Sequence, residues 1–337
     1  MSDLEKINIY VPEETGSMLK NDALLFEVFK KDGKTINMNR FLTLLVKGYY
    51  TEYLEETYNK HKQIVDTLQE TGLNKSVINN VSENILNTCV LPDIPLRKGK
   101  NPCRLSLKPT NEIEQIIIML IDKLKGRDFV SQYFCKMFVS YCNKPVYMRE
   151  KIIFKENYEL AEKMCKEKQV IRFFTTWNKE YYHEIIPYMV THKDNYNYLI
   201  GEEIITDTKT AVSYRLNRFG NILPTGKKGD INPKILHYLK LMKKYDPAYT
   251  INEDNEICVR IPKSDVSSFI RIYQNRPTPL KTVEEKEDYL YYFDCSADQV
   301  FLYFKKFETA EILAPKVLRN RIIEYHKNAL SQYEKES

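Results

Sequence analysis

Apolar and polar positions alternate in two short segments that lie far apart in the chain. Residues 6–11 (Lys-Ile-Asn-Ile-Tyr-Val) and residues 104–108 (Arg-Leu-Ser-Leu-Lys) both have the period of two that indicates a half-buried strand. Each segment is followed by two stretches with the apolar spacing of a helix, separated by a turn. The pattern therefore predicts a degenerate repeat of strand, helix and helix.

The elements predicted for the two copies and for the stretch between them are, in chain order, a helix around 17–30, a turn at 31–34, a helix from Asn37 or Asn39 through Tyr49, packing helices at 50–70 and 74–90, a helix at 112–125, a turn at 126–128 and a helix through Val139. One strand with two helices cannot close a core, because a lone strand leaves both edges unpaired. Pairing residues 7–11 with residues 105–107 as an antiparallel ribbon backed by four helices solves this problem. The arrangement resembles two ribbon-helix-helix units in one chain.

A ribbon of the ribbon-helix-helix kind fits the DNA major groove, where alternate side chains reach base edges. The side chains predicted to point outward are Lys6, Asn8 and Tyr10 on the first strand and Arg104, Ser106 and Lys108 on the second. The second set is better suited to phosphates or bases, because it carries two cations. The alternative is that the ribbon only holds the unit together.

The pattern changes at residue 150, where a Lys- and Glu-rich helix to residue 168 precedes short strands. These strands are predicted at 170–175, 181–190, 195–202, 211–217 and 221–223, and they suit a small barrel of the SH3/Sm type. Three elements resemble the WYL domain in order and spacing: Ile186-Pro-Tyr-Met-Val190, Asn195-Tyr-Asn-Tyr-Leu-Ile-Gly201 and Ser213-Tyr-Arg-Leu-Asn-Arg-Phe219. Two positions depart from the family pattern, since Asn197 replaces the Trp and Asn217 replaces the usual Asp.

The residues after 228 resemble the C-terminal extension that follows many WYL domains. The resemblance is carried by Val259-Arg-Ile-Pro262, Phe269, Tyr291–Phe293, Phe301–Phe304, Glu311-Ile-Leu-Ala-Pro315 and Leu318-Arg319. It implies a ferredoxin-like α/β sandwich that helps to form a homodimer. The predicted fold class is therefore α+β, with tandem ribbon-helix-helix-like units at 1–149, a WYL domain at 150–228 and a C-terminal extension at 229–337.

A ribbon-helix-helix region directly before a WYL domain is similar to the WYL accessory proteins of type VI-D CRISPR-Cas systems. Further elements that carry this resemblance are Tyr147-Met-Arg-Glu-Lys-Ile-Ile-Phe154, Tyr273-Gln-Asn-Arg-Pro277 and Leu313-Ala-Pro315. The resemblance implies a non-catalytic protein that binds single-stranded RNA and stimulates an RNA-guided, RNA-cleaving CRISPR effector as its partner. The alternative is a ligand-sensing transcription regulator that binds duplex DNA through the ribbon.

WYL domains are thought to bind ligands, often single-stranded nucleic acid, on a basic and aromatic barrel face, where rings stack on bases and cations neutralise phosphates. Tyr196 and Tyr198 share one face of a strand, and one or both can belong to the core. Arg215 and Arg218 face opposite sides of a regular strand, so that only one of them would lie in the site. The candidate residues implied by the resemblance are Arg172, Trp177 at a hairpin tip, His183 (which also suits a hydrogen-bonded core position), Tyr188, Tyr196, Tyr198, Tyr214, Arg215 and Arg218.

The formal net charge of +5, from 51 Lys+Arg and 46 Asp+Glu, is unevenly distributed. Residues 92–151 carry 12 basic and 6 acidic side chains and residues 152–228 carry 12 and 10, whereas the remainder is acidic or neutral. The excess begins in the Pro- and Lys-rich stretch 92–102, which is the best linker candidate because each Pro interrupts helical structure. The distribution indicates a nucleic-acid face in the second ribbon copy and the middle domain.

Several classes of function find no support in the sequence. With only 10 Gly in 337 residues, Gly-rich phosphate loops are not expected. The five His are scattered without metal spacing, and although the run Arg321 to His326 matches the Arg-x4-His pattern of HEPN ribonucleases, it lies on the terminal helix. We therefore expect no enzyme, cofactor or metal. Seven Cys without a CxxC pair, a start without a secretory signal and no long apolar run predict a cytoplasmic protein with reduced thiols and no membrane span.

Overall fold

The computed structural model describes residues 5–91, 102–124, 127–176, 178, 180–204, 209–254 and 256–334. They form a mixed α+β fold in which every strand pairing is antiparallel. The chain divides into two compact units, residues 1–158 (unit 1) and residues 159–337 (unit 2). The predicted linker lies outside the described residues except for Pro102.

Unit 1 repeats the order of one strand followed by helices, as the sequence predicts. Its elements are β1 (Ile7–Val11), α1 (Glu13–Leu25), α2 (Met38–Gln69), α3 (Lys75–Ile85), β2 (Cys103–Leu107), α4 (Glu114–Leu124), α5 (Arg127–Cys142) and α6 (Val146–Ile153). A π-helical turn, Leu86–Val90, directly follows α3.

The two strands of unit 1 pair with each other, which confirms the predicted ribbon. Ile7 lies opposite Leu107 and Ile9 opposite Leu105. The inward side chains of both strands are buried, and Ile9 is fully inaccessible to solvent. They join one hydrophobic core with apolar residues of the surrounding helices. Because side chains alternate along a strand, burial of one ribbon face directs the intervening polar residues outward.

Helix α2 is longer than the sequence pattern predicts, because the predicted helix through Tyr49 and the predicted helix at 50–70 form one continuous helix. Asn37 caps its start, as predicted, by accepting a hydrogen bond from the Arg40 backbone N–H at 3.0 Å. No proline interrupts it at Tyr49, since residues 38–69 contain none. The turn after it contains Gly72, whose φ of +72° is in the left-handed region that favours glycine.

A buried ion pair joins two helices of unit 1. Arg149 Nε of α6 lies 3.2 Å from Asp22 Oδ2 of α1, and the two side chains are only 8% and 3% exposed. Tyr141 of α5 donates a hydrogen bond to the same carboxylate oxygen at 3.0 Å. Burial raises the pKa of Asp22, while the Arg149 charge and the Tyr141 hydrogen bond act in the opposite direction. The pair therefore neutralises charges that the core could not hold singly.

The remaining elements begin with α7, within which the unit boundary falls. They are α7 (Lys155–Glu167), β3 (Gln169–Thr175), β4 (Tyr182–Lys193), β5 (Tyr196–Glu203), β6 (Thr210–Arg215), β7 (Phe219–Lys228), α8 (Pro233–Tyr245), β8 (Ile257–Pro262), α9 (Val266–Arg271), β9 (Lys281–Glu284), β10 (Asp288–Phe293), α10 (Ala297–Phe304), β11 (Glu311–Ala314) and α11 (Lys316–Glu334). The single helix predicted at 150–168 is thus wrong, because α6 ends at Ile153 and α7 starts separately.

The five predicted short strands of unit 2 form one sheet in the order β6-β5-β4-β3-β7. This sheet is strongly curved, since the rings of Tyr214 on β6 and His183 on β4 lie 5.0 Å apart although β5 separates their strands. On the opposite side, Ile200 and Ala211 belong to a core shared with Leu239 of α8. We call the side of Tyr214 and His183 the concave face and the opposite side the outer face.

The last four strands form a second sheet in the order β11-β8-β10-β9. The elements of this region follow the order strand, helix, strand, strand, helix, strand, after which α11 begins. Its core is strongly aromatic, and the Phe304 ring contacts the rings of both Phe269 and Phe293. One face of the sheet therefore packs on its own helices.

Candidate nucleic-acid interface

The outward face of the ribbon in unit 1 carries the six residues that the sequence predicts there. Asn8 lies opposite Ser106, and Lys6 and Lys108 flank the strands at the same end of the ribbon. Lys6, Arg104 and Lys108 are exposed, whereas Asn8 and Ser106 are partly buried. The structure thus brings these side chains together on one surface.

The guanidinium of Arg104 is held by a neutral partner. Its Nε and Nη2 donate to Asn8 Oδ1 at 3.2 and 3.0 Å, and Ser106 Oγ donates to the same oxygen at 3.2 Å. An amide oxygen carries no formal charge, so Arg104 keeps its positive charge while its orientation is fixed. Tyr10, which lies opposite Arg104, is 48% exposed. This face can contact phosphates or base edges.

An aromatic cluster fills part of the concave face of the five-stranded sheet. The Phe173 ring lies 5.4 Å from the His183 ring and 5.1 Å from the Tyr214 ring, and 4.3 Å from the Phe219 ring. Phe173 is fully buried and Phe219 is nearly so. These contacts assign His183 and Tyr214 to the lining of the curved sheet.

The polar atoms of this cluster hydrogen-bond to one carboxylate. Glu203 Oε1 lies 2.8 Å from His183 Nδ1 and accepts from Tyr214 Oη at 3.3 Å, while Tyr214 Oη and His183 Nδ1 are 2.9 Å apart. The His183 and Glu203 side chains are 28% and 18% exposed. Burial, reinforced by the Glu203 charge, raises the pKa of Tyr214, so this phenol stays protonated. The group is a satisfied polar network at the edge of a core.

The outer face carries a stacked pair near the hairpin between β4 and β5. The Arg215 guanidinium carbon lies 3.5 Å from the centroid of the Tyr196 ring. Tyr196 pairs with Lys193 across the hairpin, and Lys193 is exposed. Tyr198 is on the same face, as predicted, but it is only 8% exposed and belongs to the interior. Of the two tyrosines, Tyr196 is therefore the one available to a ligand.

A second cation on the outer face lies on β3. Arg172 Nη2 donates to Glu184 Oε2 at 2.8 Å, and its guanidinium carbon lies 4.4 Å from the centroid of the Tyr182 ring. The Arg172 side chain is 43% exposed and the Tyr182 residue is 44% exposed. Arg172 thus lies beside an exposed aromatic residue, with its charge partly balanced by Glu184.

The remaining candidates, Tyr188 and Arg218, are not part of the Arg215–Tyr196 or Arg172–Tyr182 contact. Tyr188 is half-buried and packs on the core beneath α8. Arg218 ends the 3-10 turn Leu216–Arg218, where its carbonyl accepts from the Thr176 N–H at 2.9 Å. The predicted strand at 211–217 ends at Arg215, so the expectation that Arg215 and Arg218 face opposite sides of a regular strand does not apply.

Comparison with known proteins identifies a fold but no family. The chain shares its fold with the crystal structure of "a CRISPR Cas-related protein", with a TM-score of 0.68 and 17% sequence identity over 100% of this chain and 96% of that chain. The proteasome accessory factor B/C (PafBC) of Arthrobacter aurescens covers 98% of this chain and 50% of its own at 12% identity, but its TM-score of 0.26 is too low for any conclusion. No family model matches the chain, and no curated protein matches it.

Sequence reasoning missed the partners that hold the candidate residues. Glu203 closes the network of His183 and Tyr214, and Tyr182 lies under Arg172. The alternation of β4 gives a signal for Tyr182, which lies two residues before Glu184 and therefore on the same strand face. No local sequence pattern indicates Glu203, because its contacts with His183 and Tyr214 depend on the curvature of the sheet.

The positions that depart from the WYL pattern are both buried, Asn197 to 2% exposure and Asn217 to 4%. Trp177 lies outside the described residues. Among the described residues, no group of three or more His, Cys, Asp or Glu could hold a metal ion, and no helix is long and apolar enough to cross a membrane. All seven cysteines are free thiols, and four of them are buried.

Proposed function

We propose that this protein is a non-catalytic accessory protein of a CRISPR-Cas system, which binds single-stranded RNA and stimulates an RNA-guided, RNA-cleaving effector of type VI-D. In this proposal unit 1 contains two ribbon-helix-helix units, and the five-stranded sheet is the barrel of a WYL domain. The four-stranded sheet belongs to a ferredoxin-like domain that forms a homodimer. The protein acts in the cytoplasm.

The CRISPR context is supported by the likeness along the full chain to a CRISPR Cas-related protein, together with the WYL-like elements of the sequence. The order β11-β8-β10-β9, with helices after the first and third of these strands in the chain, suits the ferredoxin-like assignment. The predicted and observed pairing of β1 with β2 favours the ribbon-helix-helix assignment.

The observation that carries RNA binding is the stack of Arg215 on Tyr196 at 3.5 Å. A guanidinium on an aromatic ring combines a flat stacking surface with a fixed positive charge. Single-stranded RNA presents both an unpaired base and a phosphate to such a pair, whereas a duplex keeps its bases stacked inside. Lys193, paired with Tyr196 across the hairpin, adds a second cation for the phosphate backbone.

The proposal assigns no reaction to this chain. His183 is engaged by Glu203 and Tyr214 in the concave face. Arg321, which opens the Arg-x4-His run, donates to Asp298 Oδ1 at 2.6 Å and lies 4.0 Å from the centroid of the Phe301 ring. These contacts favour structural roles for both side chains.

The second candidate function is a ligand-sensing transcription regulator that binds duplex DNA through the ribbon. It is favoured by the outward face of the ribbon, where Arg104 is oriented by Asn8 and Lys6 and Lys108 lie together at one end of the two strands. A two-stranded ribbon can enter the major groove and place such side chains against base edges. The two candidates therefore use different surfaces.

Fluorescence polarisation separates them. Labelled single-stranded RNA and duplex DNA of matched sequence are titrated with the protein over a range of salt concentrations. The proposed function requires tighter binding of the single strand and faster RNA cleavage when the protein is added to a type VI-D effector. Tighter binding of the duplex, with no effect on the effector, would favour the regulator instead.

A further inference from the structure

The outer face of the five-stranded sheet contains an exposed patch at β3, β4 and β7, of whose residues the sequence nominated only Arg172. Phe174 lies opposite Tyr182 and Leu223 lies opposite Arg172, so all four side chains point to the same side of the sheet. Tyr182 is 44% and Leu223 is 51% exposed. We call these four residues the β3–β4 patch.

The side chains around Tyr182 hold its ring in place. The Phe174 and Tyr182 rings meet edge to face with centroids 6.3 Å apart, which braces the Tyr182 ring from one side. Arg172 lies over the same ring and is held in place by Glu184, whose side chain is only 13% exposed. Because these side chains are already held in place, they lose little conformational entropy when a ligand stacks on the Tyr182 ring.

The charges beside the patch select the class of ligand. β7 forms an edge of the sheet as far as the structure describes it, and its residues 219–228 include Lys227 and Lys228 but no Asp or Glu. Both lysines are exposed. Lys228 lies opposite Gln169, three residues along β3 from Arg172, so the cationic end of β7 lies further along the same pair of strands. This arrangement suits a polyanion with flat unpaired groups, because the lysines can contact phosphates while a base stacks on the Tyr182 ring.

We infer that the β3–β4 patch binds an unpaired base of single-stranded RNA, with Tyr182 as the stacking platform and the lysines of β7 along the phosphate backbone. This inference rests on the proposed function and adds a contact surface distinct from the Arg215–Tyr196 stack. It commits to nucleic acid rather than to protein, since Arg172 and the exposed lysines of β7 match a polyanion.

The first test measures the affinity of the full chain for a labelled single-stranded RNA by fluorescence polarisation. Tyr182→Leu removes the aromatic ring but keeps an apolar side chain, and we expect the affinity to fall about 5- to 100-fold. Tyr182→Phe keeps the ring and stays within about twofold of wild type. Tyr58→Leu, at a tyrosine that is 66% exposed on α2, is the matched control and leaves the affinity unchanged. Thermal melting checks that each variant is folded.

A second readout reports stacking directly. Trp177 is the single tryptophan of the chain, so Trp177→Phe combined with Tyr182→Trp leaves one indole at the patch. Addition of single-stranded RNA should quench its fluorescence. Wild-type affinity of folded Tyr182→Leu, or RNA binding without quenching, overturns this inference but leaves the proposed function intact. Failure of the wild-type chain to bind single-stranded RNA overturns both. If Tyr182→Leu lowers effector stimulation at unchanged RNA affinity, the patch binds protein and the inference is wrong.

Discussion

The ribbon of unit 1 and the five-stranded sheet of unit 2 both carry arginines at their surface, exposed in Arg104 and partly buried in Arg172 and Arg215, but they hold them in different ways. Arg104 donates to the neutral amide oxygen of Asn8, and Lys6 and Lys108 lie together at one end of the ribbon. On the sheet, Arg215 stacks on Tyr196, and Arg172 stacks on Tyr182 while it pairs with Glu184. The ribbon thus presents localised charge, and the sheet presents charge on flat aromatic surfaces.

This difference matters because the two kinds of nucleic acid expose different groups. A duplex offers phosphates and base edges, which oriented cations and polar side chains can contact. A single strand offers the faces of its bases, which need an aromatic or guanidinium plane. We therefore propose the sheet as the surface for single-stranded RNA and the ribbon as the surface for a duplex. The variants below separate the two surfaces.

The largest effect is expected on stability, when the buried ion pair between Arg149 and Asp22 in the ribbon unit is broken. Arg149→Leu leaves the Asp22 carboxylate without its partner, and we expect the free energy of unfolding to fall by about 3–5 kcal/mol. Urea denaturation followed by circular dichroism measures this. Burial raises the pKa of Asp22, and without Arg149 this shift grows. A raised carboxyl pKa stabilises the folded state at low pH, so the loss should be smaller at pH 5 than at pH 8.

The control for this prediction removes both charges. Asp22→Leu combined with Arg149→Leu replaces the pair with apolar side chains and should lose less stability than Arg149→Leu alone. Equal losses in the single and double variants would show that packing, rather than an unpaired charge, dominates. Binding of single-stranded RNA by the sheet is measured on the double variant, whose ribbon unit is expected to stay folded.

The second effect concerns the cations of the ribbon. Replacing Arg104 and Lys108 together with alanine should weaken duplex DNA binding and reduce the slope of log affinity against log salt by about 2, because two phosphate contacts are lost. Affinity for single-stranded RNA should change by less than twofold if the sheet carries that function. Lys20→Ala, an exposed lysine on α1, is the control. A comparable loss for both nucleic acids would mean that one surface serves both.

The third effect distinguishes stacking from charge on the sheet. Arg215→Ala should lower the affinity for single-stranded RNA about tenfold, since it removes both the guanidinium plane and its charge. Arg215→Lys keeps the positive charge but not the flat guanidinium, so it should restore only the salt-dependent part of the RNA affinity. Polarisation titrations at two salt concentrations measure the difference. Full recovery by lysine would show that Tyr196 and Arg215 act as a phosphate site alone.

Much of the fold could be predicted from the sequence where short-range pattern determines structure. The alternation at 6–11 and 104–108 gave both strands of the ribbon and their pairing, because each strand buries one face. The five short strands of the middle region were also found. The continuous helix through Tyr49 was missed, since its length depends on packing against other helices rather than on a local stop signal.

The candidate site was less predictable, because its contacts join residues that are distant in the sequence. The pattern placed Tyr196 and Tyr198 on one face, but it could not predict that Tyr198 is buried while Tyr196 stays partly accessible. The contacts of His183 with Glu203 and Tyr214 join residues on three strands, and they arise from sheet curvature that no local pattern records. The sequence therefore predicted the strands that carry these side chains, but it could not predict which side chains meet.

The smallest effect is expected from a substitution in the turn between α1 and α2. It changes the stability of unit 1 without changing the outward face of the ribbon. Asp32 accepts hydrogen bonds from the backbone N–H groups of Lys34 and Thr35 and from the Thr35 hydroxyl, which lower its pKa from 3.8 to about 2. A lowered carboxyl pKa stabilises the fold above pH 3.8, and this contribution disappears as the pH falls towards 2. Asp32→Ala should therefore be slightly destabilising at pH 6 and nearly neutral near pH 2, whereas Asp66→Ala, on exposed α2 surface, should show no such change. Thermal melting across this pH range measures both, and a pH-independent loss for Asp32→Ala would contradict the assignment.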